Sequence, residues 1–388
     1  MEATLTPGGR IFDSEQVERA RRYHRPIYVV RVFGIVLSLA VLAVLSFTRV
    51  GDWLLELGDW LPWWGEAPAS AGLVVVISSL VATPLAYWRY FHERRWGFST
   101  QTVRGWAADR AKGLGIGLVL TALPMLGLIA AVRIFPSWWP LAAAAGAAVI
   151  VLVVNFLAPV VLEPVFNKFE PLPDERLADQ LRELAETAGV PVRDVLVADA
   201  SRRTRKHNAY VSGLGKTRRV VVWDTLLERG QRGEIRLVVA HELGHRRFRH
   251  VASWTAITML GAAGFVVALW ALLQWNGLLS AIGADGPADP RVIPFVLFAG
   301  AVAELVVQPF ALALSRRWER DADRFSLDLT RDATAYEQTH RNLALSNLGD
   351  LAPPRAAYLF FFSHPSAPER LAAGRAWASS RPARTSAA

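Results

Sequence analysis

The stretch Gly233-Glu-Ile-Arg-Leu-Val-Val-Ala-His241-Glu-Leu-Gly-His245 decides how this chain is read. It carries an acid in its first turn and an apolar run after it, a pattern that predicts a helix. On that helix His241 and His245 lie one turn apart and share a face, so both imidazoles reach one metal ion. Glu242 sits about 100° round the axis, beside such a metal and not on it. There it can take a proton from water polarised by zinc, whose pKa falls to about 7, and later deliver it to a leaving amine. The same letters would also be written by two surface histidines on a basic helix. A third protein ligand separates the readings, because three ligands plus water define a catalytic zinc site. The chain has no cysteine, so any metal must be held by His and carboxylates, and no disulfide can form.

The third ligand is expected at Glu319, in Ser315-Arg-Arg-Trp-Glu319-Arg-Asp-Ala-Asp323. Asp323 lies one turn further on the same face, placed to accept the free N–H of a ligand histidine and fix its tautomer. A solvated, charged helix end is the plain alternative for this stretch. A hairpin is expected upstream: Asn208-Ala-Tyr-Val-Ser-Gly213, a turn at Gly213-Leu-Gly215-Lys216, then the β-branched run Arg219-Val-Val-Val-Trp223. A strand edge near the metal would bind extended peptide by main-chain pairing. His207 and His250 lie among arginines and read as surface residues, and Thr225-Leu-Leu-Glu228 reads as a capping box.

Around this centre the chain is apolar. It is 52% hydrophobic over 388 residues, with positive mean hydropathy. Six stretches are long enough, or nearly so, to cross a bilayer as helices: Val32–Thr48, Ala71–Trp88, Gly113–Val132, Leu141–Leu162, Trp254–Leu273 and Val292–Leu314. No cleavable signal peptide is expected, since the first thirty residues are polar. The net charge of +9 goes with lipid headgroups and orientation, and no nucleic-acid partner is expected. Gly51–Ser70 has four acids and no Lys or Arg, whereas the N-terminal segment, the second connection and both long polar stretches are rich in Arg. Six crossings put every basic segment on one side, predicted to be cytoplasmic, with both termini and the catalytic stretch. Glu304 and Gln308 fall inside the sixth span on the face that leads to Glu319, and so line either a hydrated chamber or a buried hydrogen bond.

Several motifs together resemble the type I CAAX prenyl protease family of membrane-embedded gluzincin peptidases. They are HELGH at 241–245, SRRWERDAD at 315–323, NAYVSG at 208–213 and SHPSAPER at 363–370, with GFSTQTVRGWAADRAKG at 97–113 and EPVFNKFEPLPDERL at 163–177. The resemblance implies a zinc endopeptidase with one ion on His241, His245 and Glu319, and Glu242 as base. It further implies that Asn208 and Ala209 bind substrate near the scissile bond. Arg370 and His364 would donate to the oxyanion of the tetrahedral intermediate. The residues also admit plainer roles: Asn208 as a turn former, and Arg370 as the partner of an acid on the Glu319–Asp323 helix. A quality-control membrane protease of the HtpX type is the alternative within peptidases, expected to have two spans before its catalytic stretch where four are counted here. A scaffold with structural zinc is the alternative outside them.

The fold expected is therefore mostly α: about six transmembrane helices joined to a small α+β gluzincin-type zinc-peptidase lobe. An N-terminal membrane domain would span residues 1–163. The peptidase domain would span 164–388, including spans 254–273 and 292–314 and a frayed tail at 379–388. The protein is expected in the cell membrane, acting on a peptide or protein substrate, with membrane-associated or lipidated substrates among the candidates.

Overall fold

The computed structural model describes residues 11–213 and 215–380. Helix α1 (Ser14–Phe47) is started by Asp13, which forms a reciprocal capping box with Gln16. A short α2 (Arg49–Glu56) follows, then the long α3 (Trp63–Arg95), α4 (Val103–Ile134) and α5 (Trp139–Leu157). Thr102 caps α4 through the amide of Gly105. A wide turn at Ala158–Leu162 carries α5 into α6 (Glu163–Phe166).

Six helices among the described residues are long and apolar enough to cross a membrane, and they match the six stretches expected from the sequence, the first ending at Phe47 with Thr48 as its C-cap. Four of them lie in the first part of the chain. The other two are α10 (His250–Leu273) and the helix running on from Pro290 to Thr330. Each extends beyond its apolar core: the 34 residues of α1 span about 50 Å, against a hydrocarbon thickness of about 30 Å. Their outward side chains include Leu80, Leu123, Leu141, Leu260 and Phe310, each more than 60% exposed. An apolar surface on this scale is stable against lipid and not against water.

The polar lobe begins with β1 (Phe169–Pro171), α7 (Glu175–Thr187) and β2 (Asp194–Ala198), followed by the hairpin β3 (Ala209–Ser212) and β4 (Arg219–Trp223). The sheet order is β1-β2-β4-β3; β2 and β4 are parallel, and the outer pairs are antiparallel. The expected hairpin is therefore present. Gly213 turns it at φ 82°, and a Cβ there would lie 2.2 Å from the carbonyl oxygen of Thr217. Then come α8 (Asp224–Arg229) and α9 (Arg232–Arg247), the latter opened by a capping box between Gln231 and Glu234. α7 and α9 pack on the sheet through Leu181, Val195, Val220, Val222, Ile235, Val239 and Leu243, all buried. The capping box expected at Thr225–Glu228 is absent. α8 starts at Asp224, with Trp223 as its N-cap, so Thr225 is already inside the helix and its hydroxyl donates to the carbonyl of Lys206.

After α10 and the short α11 (Asn276–Ala281), α12 (Ile293–Thr330) crosses the bundle and continues 16 residues past Leu314 into the lobe, where it packs on α9. α13 (Ala333–Ser346), α14 (Arg355–Phe361) and α15 (Ala367–Ser379) close the structure, α15 opened by a capping box between Ser366 and Glu369. Of the frayed tail expected at 379–388, the part from residue 381 lies outside the described residues. Gln308 and Ser315 donate to the carbonyls of Phe360 and Ser363, so this polar face of α12 holds the end of α14 and the segment after it. Glu304, by contrast, is exposed.

Candidate metal centre

α9 brings the Nε2 atoms of His241 and His245 to 3.2 Å from each other. Glu319, on the lobe extension of α12, places one carboxylate oxygen 3.2 Å from His241 Nε2 and the other 3.3 Å from His245 Nε2. The three residues offer ligand atoms that all lie within 4.8 Å of one another. α9 and α12 can come this close because Gly244 faces α12: a Cβ there would lie 3.1 Å from the Cα of Ala322. His241, Glu319 and Asp323 are each less than 10% exposed.

The other side of each imidazole is also engaged. Nδ1 of His241 lies 2.9 Å from a carboxylate oxygen of Asp323. A carboxylate accepts, so this contact puts the His241 proton on Nδ1 and leaves Nε2 as a bare lone pair. Asp323 is itself held by Arg370, whose Nε donates at 2.9 Å and whose Nη2 makes a second bond. Nδ1 of His245 meets Nδ1 of His250 at 3.0 Å.

This donor set fits a metal cation. Two nitrogen lone pairs and a carboxylate facing one another at 3.2–3.3 Å repel unless positive charge lies between them. Without a cation the cluster captures a proton: burial lowers the pKa of His241, but hydrogen bonds to Asp323 and Glu319 outweigh it and raise the value to about 9. The Glu319 oxygen that faces His241 is buried and has no other hydrogen-bond partner among the described residues. Two imidazoles and a carboxylate are a ligand set suited to zinc.

Glu242 is half-buried beside this cluster, and burial pushes its carboxyl above the ordinary range, partly offset by His241 and His245. Nε2 of His364 lies 3.3 Å from Glu319, and its Nδ1 is 2.7 Å from the hydroxyl of Ser363. Arg316, 5% exposed, donates to the carbonyls of Tyr358 and Phe362 and holds the segment that carries His364. Asn208, His364 and Arg370 line a cavity of about 810 Å³ that reaches Ile27 and Tyr28 on α1 and Trp88 on α3. β3 is an outer strand of the sheet, paired only with β4 and open on its other edge to any further strand. Trp223 N–H donates to Asn208 C=O, so alternation turns the backbone of Ala209 and Val211 towards that open edge. Arg246 occupies the Val211 carbonyl.

The structure brings His241, Glu242, His245, Glu319, Asp323, His364 and Arg370 together, with Ala209 on the neighbouring strand β3 and Asn208 immediately before it. The sequence reading misplaced two histidines. His250 is 7% exposed and stacks on Trp318, and His207 lines the cavity with its Nε2 buried. It also missed Asn347, whose side chain accepts from the backbone N–H of His207 and donates to its carbonyl, fixing the residue before Asn208. His250, five residues after His245, could have been found from that spacing. Asn347 offers no local signal, since its contact is 140 residues away in the chain.

A metallopeptidase helix docked on the extension of a membrane span makes this an integral-membrane metalloprotease. Residues 171–378 match the model of peptidase family M48, and residues 8–168 match the CAAX prenyl protease N-terminal domain, described as five membrane helices. This chain has four long apolar helices in that region, with the short α2 between the first two. The uncharacterized metalloprotease YhfN of Bacillus subtilis is 32% identical over 78% of this chain and 72% of its own length. CAAX prenyl protease 1 of Saccharomyces cerevisiae is 30% identical over 78% and 70%. The crystal structure of S. mikatae Ste24p superposes with a TM-score of 0.82 at 25% identity, covering 96% of this chain and 92% of that one. The chain belongs to peptidase family M48, on the CAAX prenyl protease branch that its motifs resemble.

Proposed function

We propose that this protein is a CAAX-prenyl-protease-like endopeptidase that binds one zinc ion on His241, His245 and Glu319 and cuts extended peptide laid along β3. The observation that carries the reading is the convergence of two imidazoles and a buried carboxylate at 3.2–3.3 Å, beside Glu242. Bound there, zinc supplies a Lewis acid that brings the pKa of water to about 7. Glu242 accepts the proton of the attacking water and hands it to the leaving amine, and its raised pKa suits both halves of that exchange. The backbone of Ala209 pairs with substrate as an added strand, and the side chain of Asn208, without a partner among the described residues, binds the peptide near the scissile bond. His364 donates to the carbonyl oxygen as it gains charge. Arg370 acts by holding Asp323, and so His241, in addition to any contact with substrate.

The cavity beyond Asn208 receives part of a peptide or protein substrate. The named relatives make a lipidated, membrane-associated substrate the first to try. In this reading the bundle lies in the cell membrane, against membrane lipid, with the lobe and both termini in the cytoplasm; the arginine distribution supports the orientation. Residues 1–163 form the membrane domain in this reading, and 164–388 the peptidase with its two further spans. The test is metal content and cleavage measured together on protein purified in detergent, comparing wild type with Glu242→Gln on a farnesylated CAAX peptide and on unfolded casein. One zinc per chain in both forms, with cleavage by wild type alone, is expected. Preference for the farnesylated peptide supports the substrate, and absence of zinc from wild type even after adding it back refutes the whole reading.

A further inference from the structure

The two ligand histidines are oriented by different chemistry. Asp323, a carboxylate, holds Nδ1 of His241, whereas Nδ1 of His245 faces another imidazole, that of His250, at 3.0 Å. His250 opens α10 immediately after Arg249, which takes the left-handed conformation at φ 56° and so turns the chain sharply between α9 and α10. That turn swings His250 back over the end of α9. Its ring then lies flat on Trp318, with centroids 4.9 Å apart and planes within 8° of parallel. Trp318 immediately precedes Glu319 and is in turn met edge-on by Trp254.

We infer that His250 is a positioning residue for the metal, accepting the Nδ1–H of His245 and so fixing that ligand's tautomer. The inference rests on the proposed metal site. If Nε2 of His245 points into the cluster as a lone pair, its proton must sit on Nδ1, the atom that meets His250. His250 must then be the neutral tautomer with its proton on Nε2 and a lone pair on Nδ1. A carboxylate here would add a third buried negative charge beside Glu319 and Asp323. A neutral imidazole orients the ligand without adding one. Stacking on Trp318 fixes the His250 ring from the α12 side, so one side chain ties the orientation of His245 on α9 to the helix that carries Glu319.

Two substitutions separate the hydrogen bond from the stack. His250→Phe keeps a ring on Trp318 and removes the acceptor, while His250→Asn puts an amide oxygen close to the Nδ1 position and removes the ring. Zinc affinity of purified protein is read by competition with a chromogenic chelator, and melting of the zinc-free protein reports folding. Loss of a group that orients a metal ligand typically costs 10–100-fold in metal affinity, and this is the loss expected for His250→Phe. His250→Asn is expected to bind within about threefold of wild type. Should His250→Phe fail to fold, His250→Ala against His250→Asn makes the same comparison. Equal zinc affinity in the variants with and without an acceptor overturns the inference. Failure of wild type to bind zinc refutes the metal site itself, a separate outcome.

Discussion

Gly244→Ala tests whether the spacing of α9 and α12 sets the metal site. The added methyl would lie 3.1 Å from the Cα of Ala322 and 3.2 and 3.3 Å from the Cδ1 and Cβ of Phe325. Carbon atoms in contact prefer about 3.5–4.0 Å, so the helices must part by about 0.4 Å or more at this point. The nearest atom is backbone, and no rotamer change can relieve it. Metal–ligand distances tolerate about 0.2 Å, and Glu319 lies one helical turn from Ala322. Alanine gains about 1 kcal/mol of helix propensity, and overpacking costs about 1–3 kcal/mol. Zinc-free stability should therefore fall by no more than about 2 kcal/mol, while zinc affinity falls at least about tenfold. Gly233→Ala, in the same helix with no atom within 4 Å of the added Cβ, is the control and should bind zinc as wild type does. Chelator competition on the three proteins decides the matter. Wild-type zinc affinity in Gly244→Ala would refute the claim that this contact sets the ligand geometry.

Asp323→Asn leaves Arg370 without its buried carboxylate, and should weaken zinc about 10–100-fold and lower the melting point; unchanged affinity would show that His241 needs no anionic partner. Arg316→Met frees the carbonyls of Tyr358 and Phe362 and so loosens the segment carrying His364. Turnover should drop about tenfold at unchanged zinc content, as read by metal analysis beside cleavage kinetics. Zinc binding should release a proton below pH 9, because His241 is protonated in the metal-free cluster. Apparent affinity is then expected to fall about tenfold per unit as pH drops below that value, and a pH-independent affinity between pH 6.5 and 8 would contradict the assignment. The chain has no cysteine, so single cysteines placed at positions 58 and 100 report sidedness directly; an impermeant thiol reagent on intact cells should label only the first.

The bundle was legible because lipid imposes length and polarity on each span, and a run such as Leu141–Leu162 has few other readings. The metal helix was legible because His241, Glu242 and His245 are local, and one turn of helix fixes their relation. Glu319 and Asp323 could be placed from their own spacing, and Asn208, His364 and Arg370 from motif resemblance. What escaped was tertiary. His250 looks solvated among Arg246, Arg247 and Arg249, and only the left-handed turn at Arg249 buries it. Thr225 carries the letters of a cap but lies two residues too late, since Trp223 is the N-cap and Asp224 already begins α8. Asn347 clamps His207 across 140 residues, a contact that no periodicity announces.

The placement of the site follows from how its parts are supported. His241 and His245 stand on α9, which is packed against the sheet of the lobe, whereas Glu319 stands on a helix whose other half crosses the bundle. Asp323 and Arg370 tie α12 to α15, and Gln308, Ser315 and Arg316 tie it to the segment before α15. Every group that meets the cluster is therefore referenced to α12. A metal bound by α9 and α12 together would join lobe to bundle at the point where β3 presents its open edge. A substrate strand on that edge would approach a centre fixed relative to the membrane, and the distance of a scissile bond from the bilayer would then be set by the 16 residues of α12 beyond Leu314.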